Sequence, residues 1–500
     1  MALPAVPPRP GLILALVLLL SCWFMFVDGA PAPIVLWDES RLTVNALEMY
    51  LRGASLITTY DFLPDLWNTK PPLMIWLMNL SLWLFGPSEW SLRLPSTLAA
   101  IGTLCIVFDF TRKASRSAGT AALAAGLLAT SIGFFAEHGA RTADYDALLC
   151  FFVALYLHQL FFALHRRRPG RHLALAAAAM AGALMTKGIA APIAAAGLLP
   201  YLIITRRFRR ALATPPYYVA AAAAVAPLAI FLILRERAAP GYLDASLFND
   251  VAGRVRASLD GQNRGAIFYL KALPELFSAG PLLFFAPLVL PKLRGRARLA
   301  VLYMLCATGA VLIIATFAAT KLPQYVAPVL PPLAVVTAIC SVRAYRLARE
   351  QLTSASTRLA LSCAVLLFGI GVAARAADLR WTYFPSRQYY PAAMYGRVIE
   401  ALAARGYRRI AIVDRGIVEA GLSDHYLPQA RSYALIWRTR GIAVTISHDR
   451  PAPGAQVVAS CDPTFTDRLN KQPTGLIAIS GCAAGPVVDS PQLSTNGGAR

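Results

Sequence analysis

Two adjacent carboxylates, Asp38 and Glu39, follow the first apolar run, and Lys70-Pro71-Pro72 closes the same polar stretch. A carboxylate at a membrane surface can take the proton of an attacking hydroxyl or amine. A lysine just ahead of a proline-started helix can hold a phosphate, because free N–H groups and the helix dipole favour an anion there. Plainer readings compete. Asp38 also fits a helix N-cap, which spacing alone favours, and Lys70 fits an interfacial lysine whose stem lies along apolar surface. In ARTADYDALL, Arg141, Asp144 and Asp146 can bind a polar ligand at a helix mouth, with an N-cap at Asp146 as the ordinary alternative. Glu137 and His138 read as loop residues, since a lone histidine is not a metal site. Lys187 in MTKGIA and Lys321 in ATKLPQY lie between apolar runs. Cations at such depth are costly and either act, pair or snorkel. Asp109 reads as a local ion pair with Arg112.

The elements that must position these residues are membrane helices. The chain has 500 residues, 57% of them hydrophobic and 15% charged, with a mean hydropathy of +0.53. That composition, in long apolar runs, excludes a soluble domain. The net charge of +22 would suggest nucleic acid in a soluble protein. Here the basic residues cluster in short loops between apolar runs, so they report topology.

Eleven runs can span a bilayer: 11–27, 94–110, 118–135, 147–164, 172–186, 189–205, 215–234, 276–291, 299–319, 324–341 and 359–376. The first is longer than a signal-peptide core and reads as a retained helix. A twelfth run, 71–86, is short and Trp-rich, and reads as a helix lying on the outer surface. Leaving it out of the count puts five basic loops inside: Arg112/Lys113/Arg116, Arg166–Arg168, Arg206–Arg210, Lys292–Arg298 and Arg343–Arg349. Residues 28–93 are then one external loop with helices near 40–53 and 72–85. The segments 136–146, 235–275 and 320–325 face the same side.

After residue 386 the pattern changes. Helices at 394–405 and 430–440 alternate with strands at 409–413, 442–446, 456–460 and 475–480, which predicts a small external α/β domain ending in a disordered tail. Six cysteines lie in apolar runs and read as small hydrophobes. Cys461 and Cys482 end two strand patterns and are expected to form a disulfide in an oxidising compartment.

Taken in order, the loops resemble a known family. The set is D-E, then K-P-P-L with W-L and L-F-G, then R-L-P-S, A-R-T-x-D-Y-D-A-L-L, M-T-K-G, N-D-V-x-G-R and T-K-L-P-x-Y. It resembles the bacterial GT-C class of membrane glycosyltransferases, which includes lipid A aminoarabinose transferases and protein O-mannosyltransferases. The resemblance covers about residues 30–345. It implies inverting transfer from a polyprenyl-phosphate sugar to an envelope acceptor (lipid A, glycan, protein or lipid) on the periplasmic face of a bacterial inner membrane. It makes Asp38 and Asp146 the catalytic carboxylates. Glu39, Lys70, Arg141, Asp144, Lys187, Asn249, Asp250, Arg254, Lys321 and Tyr325 become substrate-binding residues. No cofactor and no zinc are expected, because Thr69 and Gln262-Asn263 stand where relatives carry Glu or His; a hard divalent cation remains an option through Asp38, Glu39, Asp144 and Asp146. The competing class is a transporter or flippase for a lipid-linked glycan. That class calls for paired repeats and mid-membrane charges, neither of which the sequence contains.

Overall fold

The computed structural model describes residues 10–26, 33–35, 38–252, 264–277, 279–387, 395–414, 427–447, 450–460 and 477–480. The chain divides into two compact units. One comprises Met1–Gly29, Pro64–Met74 and Arg93–Thr382; the other comprises Ala30–Leu63, Ile75–Leu92 and Tyr383–Arg500. The polar stretch after the first apolar run therefore contributes to both.

Among the described residues, seven helices are long and apolar enough to cross a membrane: Glu89–Ser115, Tyr145–Leu164, Gly170–Ala190, Pro215–Ala238, Gly295–Phe317, Pro323–Gln351 and Ala355–Arg375. Four of the eleven expected spans are not long unbroken helices. The helices Pro10–Phe26 and Ala118–Ala129 are apolar but short. The run 189–205 breaks into turns Gly188–Ala190 and Ala194–Gly197 before the helix Leu198–Ile204. The run 276–291 is divided among the turn Gly280–Phe284, the five-residue helix Phe285–Val289 and the turn Leu290–Lys292. Prolines explain both breaks, at Pro192 in the first and at Pro281, Pro287 and Pro291 in the second. Each removes a backbone donor and crowds the preceding turn.

Small residues set the packing distances, as expected of membrane helices. A Cβ on Gly182 would come within 2.4 Å of the Phe152 ring, and one on Gly197 within 2.4 Å of the Cys306 carbonyl. The first helix packs Ile13, Leu14 and Val17 against Phe108, Ala121 and Ala125. Asp109 makes its expected pair with Arg112 (3.2 Å) and adds Lys113 (2.5 Å) and His158 (2.9 Å).

The second unit is built on a helix and a parallel sheet. The helix Asp38–Arg52 starts at the acid pair itself. Leu73–Phe85 has 13 residues, about 20 Å at 1.5 Å per residue. That is too short for a hydrocarbon core of about 30 Å. Met74, Ile75, Met78 and Leu82 are buried, while Leu80, Trp83 and Leu84 are exposed.

The C-terminal elements agree with the sequence pattern: helices Tyr395–Ala404 and Pro428–Arg438, strands Arg409–Val413, Ala443–Ser447, Val457–Ser460 and Ile477–Ser480. All four strands are parallel. Arg409–Val413 pairs with Ala443–Ser447 on one side and Val457–Ser460 on the other, and Ile477–Ser480 pairs outside the latter. Ile410 to Val413 are all buried, the continuous apolar run of a strand covered on both faces. Cys461 and Cys482 lie outside the described residues.

Candidate functional site

The first unit contains an open pocket of about 300 Å³. Five residues singled out in the sequence line it: Lys70, Asp146, Lys187, Asp250 and Tyr325. The remaining wall is apolar, including Leu149, Val153, Ile193, Val311, Ile314 and Ala318. Two lysines and two acids thus line a pocket whose wall is otherwise largely apolar.

Each charged residue reaches the cavity from the end of a local element. Lys187 ends the helix Gly170–Lys187 because Gly188 follows at φ 50°, ψ −123°. A side chain there would be strained, so the glycine of M-T-K-G fixes where the lysine stops. Its Nζ donates to Asp146 Oδ1 at 2.5 Å. Asp146 is 2% exposed, and its Oδ2 has no hydrogen-bond partner among the described residues. The expected N-cap at Asp146 is corrected: Asp144 is the cap and accepts from Tyr145 N at 2.6 Å. Capping by the earlier acid leaves Asp146 in the first turn, facing Lys187.

Asp144 also pairs with His138, the residue set aside as a bland loop histidine. Burial works to raise the Asp144 pKa. The charge and hydrogen bond of His138, then Lys187 and the Tyr145 amide, outweigh it, so the carboxyl sits below its ordinary value.

Lys70 is held through the turn that precedes it. Asp65 Oδ1 accepts from Trp67 N (2.9 Å) and Asn68 N (3.0 Å). Asn68 and the Tyr145 hydroxyl exchange hydrogen bonds at 3.0 and 3.1 Å. Tyr242 donates to the Thr69 carbonyl at 2.6 Å, and Asn249 donates to the Leu66 carbonyl at 2.9 Å. Thr69 donates its hydroxyl to Asp250 at 2.8 Å. Thr69, the departure from the resembled pattern, thus ties the lysine turn to the acid of N-D-V. The Lys70 ammonium lies 5.4 Å from the centre of the Tyr145 ring, within cation–π range.

Behind Tyr242 stands Arg235, fully buried, its guanidinium 4.6 Å from the Tyr242 ring. Arg235 Nε and Nη2 have no hydrogen-bond partner among the described residues. Sequence reasoning missed Tyr145, Tyr242 and Arg235. Tyr145 stood between the two acids of D-Y-D and was the visible signal; nothing local marks the other two.

Other candidates lie elsewhere. Lys321 is 6% exposed and donates to the Ala318 carbonyl at 2.7 Å, capping the end of helix Gly295–Phe317. Lys321, Arg141 and Asn249 do not line the cavity. Arg254 lies outside the described residues. Asp38 and Glu39 open the helix Asp38–Arg52 in the second unit. Glu39 Oε2 accepts from Val35 N at 2.7 Å, which fixes the chain as it enters the helix.

The seven helices that, among the described residues, are long and apolar enough to cross a membrane define a multi-pass membrane protein, and its fold is shared with membrane glycosyltransferases of known structure. Residues 69–233 match the family described as dolichyl-phosphate-mannose-protein mannosyltransferase. The undecaprenyl phosphate-alpha-4-amino-4-deoxy-L-arabinose arabinosyl transferase of Erwinia tasmaniensis is 27% identical over 314 residues, 61% of this chain and 55% of that protein. The chain spans a little over half the length of the curated relatives it matches. The crystal structure of ArnT from Cupriavidus metallidurans bound to undecaprenyl phosphate superposes with a TM-score of 0.66 at 16% identity, covering 94% of this chain and 90% of that one. The oligosaccharyltransferase of Archaeoglobus fulgidus gives 0.52 at 13% identity, over 88% and 64%. The chain thus has relatives of this class in both sequence and fold.

Proposed function

We propose that this protein is an inverting glycosyltransferase that takes a sugar from a polyprenyl-phosphate donor and passes it to an envelope acceptor. The observation that carries this reading is the cavity, in which Lys70 and Lys187 meet an apolar wall. A lipid phosphate presents both chemistries at once: an anion for the ammonium groups and a hydrocarbon tail for the wall. Asp38 is the base. It takes the proton of the acceptor hydroxyl or amine while that atom bonds to the anomeric carbon. The bond from that carbon to the phosphate oxygen breaks, and the departing phosphate keeps the electron pair. Lysines stabilise the charge that develops on the leaving oxygen. The five basic loops support a periplasmic site and C-terminal region on a bacterial inner membrane.

The test is transfer from a labelled polyprenyl-phosphate sugar in proteoliposomes, with donor affinity measured separately. Asp38→Asn keeps the shape and removes the basicity, so turnover is expected to fall by about 10²-fold or more with donor affinity little changed. Lys70→Ala is expected to weaken donor binding instead. Near wild-type transfer by Asp38→Asn would return Asp38 to the role of a helix cap and make Asp146 the leading base.

A further inference from the structure

The second unit joins the C-terminal helix Pro428–Arg438 to the helix that begins with Asp38. Gln429, Ser432 and Tyr433 stand at positions i, i+3 and i+4, one face of that helix. Tyr433 Oη accepts from Ile34 N at 2.9 Å, and Gln429 Nε2 donates to the Ile34 carbonyl at 3.2 Å. Both backbone groups of a residue just before Asp38 are thus held by the C-terminal region. Beyond Asp38, Thr43 Oγ1 donates to the Ser40 carbonyl at 2.8 Å and lies 2.7 Å from Ser432 Oγ, which also comes within 3.3 Å of that carbonyl. Gln429, Ser432 and Thr43 are almost entirely buried. Further along, Arg431 Nε donates to Glu48 Oε1 at 3.2 Å, and Arg431 also pairs with Asp61. Glu48 is fully buried; its Oε2 accepts from Thr59 Oγ1 and Phe62 N, each at 2.8 Å.

We infer that the helix Pro428–Arg438 is a positioning element for Asp38, so the C-terminal α/β region completes the catalytic apparatus. This rests on the reading of Asp38 as the base. The reason is where the bonds fall. They bracket Asp38 on both sides and fix the entry and first turn of its helix, where a displacement of about 1 Å can cost up to 10²-fold in rate. Ile34 is buried, so its N–H and its carbonyl both require partners. The tail holds both with side chains from one helix face. The Tyr433 ring is itself seated, since a Cβ on Gly396 would come within 2.4 Å of it.

The experiment uses the full chain in proteoliposomes. Tyr433→Phe keeps the seated ring and deletes the oxygen that accepts from Ile34 N and donates to Glu89. Amide hydrogen exchange over residues 34–43 is read together with kcat and the donor KM. Faster exchange there, a kcat lower by about tenfold and a donor KM unchanged within about twofold are expected; a merely structural anchor would not split kcat from KM in this way. Ser432→Ala, which removes one buried oxygen, is the second variant should Tyr433→Phe fold poorly. Unchanged exchange, or faster exchange with unchanged kcat, would overturn the inference. Asp38→Asn in the same vesicles tests the base separately: if it alone retains activity, the reading of Asp38 as base fails, whatever Tyr433→Phe does to exchange.

Discussion

Replacing Lys187 by Met removes the cation from a pair whose atoms stand 2.5 Å apart, with side-chain exposures of 13% and 3%. At that distance and an effective dielectric of about 20, the attraction is about 6–7 kcal/mol before desolvation is set against it. Losing one partner of such a buried pair costs about 3–5 kcal/mol, because the other charge stays behind. Asp146 is short and cannot reach solvent. Asp146→Leu should cost less, since the long stem of the remaining lysine lets its ammonium move outward. The double variant Lys187→Met/Asp146→Leu should recover most of the loss, because an apolar pair of similar volume often substitutes for a buried ion pair without penalty. The assay is apparent thermal unfolding of all four proteins in one detergent, read as a double-mutant cycle. Lys187→Met should fall by about 5 °C or more and the double variant should return close to wild type. The double variant, though folded, is expected to be inactive in transfer. Additive losses in the cycle would refute the reasoning, since they would mean that the two groups do not share one buried interaction.

Three further outcomes are expected. In a background without native cysteines, Ser88→Cys should label from outside intact cells with an impermeant reagent and Ser115→Cys should not; the reverse pattern would invert the proposed topology. Asp144 has a depressed folded-state pKa, so it contributes stability that is present above its unfolded value of about 3.9 and is lost as the pH falls through the folded one. Asp144→Asn should therefore destabilise at pH 7, and thermal scans of the two proteins should converge below about pH 4. Tyr242→Phe deletes the 2.6 Å hydrogen bond to the Thr69 carbonyl, and donor titration should show affinity weakened by roughly fivefold, the equivalent of about 1 kcal/mol; unchanged affinity would mean that Lys70 needs no such support.

The sequence by itself determined which elements form and which residues are chemically unusual. Apolar runs dictate membrane helices because a bilayer leaves backbone groups no other partner. Alternating patterns after residue 386 place the C-terminal helices and strands within a few residues of where they form. Glycine at 188 ends a helix, and prolines at 71 and 72 start one, for reasons local to those residues. What sequence could not supply is distance. Lys70, Asp146, Lys187, Asp250 and Tyr325 come from five separate segments and meet only when helices pack. Proline breaks within 189–205 and 276–291 depend on how neighbouring helices accommodate a lost turn, so hydropathy marked as continuous two runs that the fold interrupts. Strand order in the C-terminal sheet is likewise a matter of crossover, not of pattern. The choice between Asp144 and Asp146 as the cap was settled by a lysine 41 residues away from Asp146. His138, Tyr242 and Arg235 carry no local signal, because their roles are defined wholly by what tertiary packing sets against them.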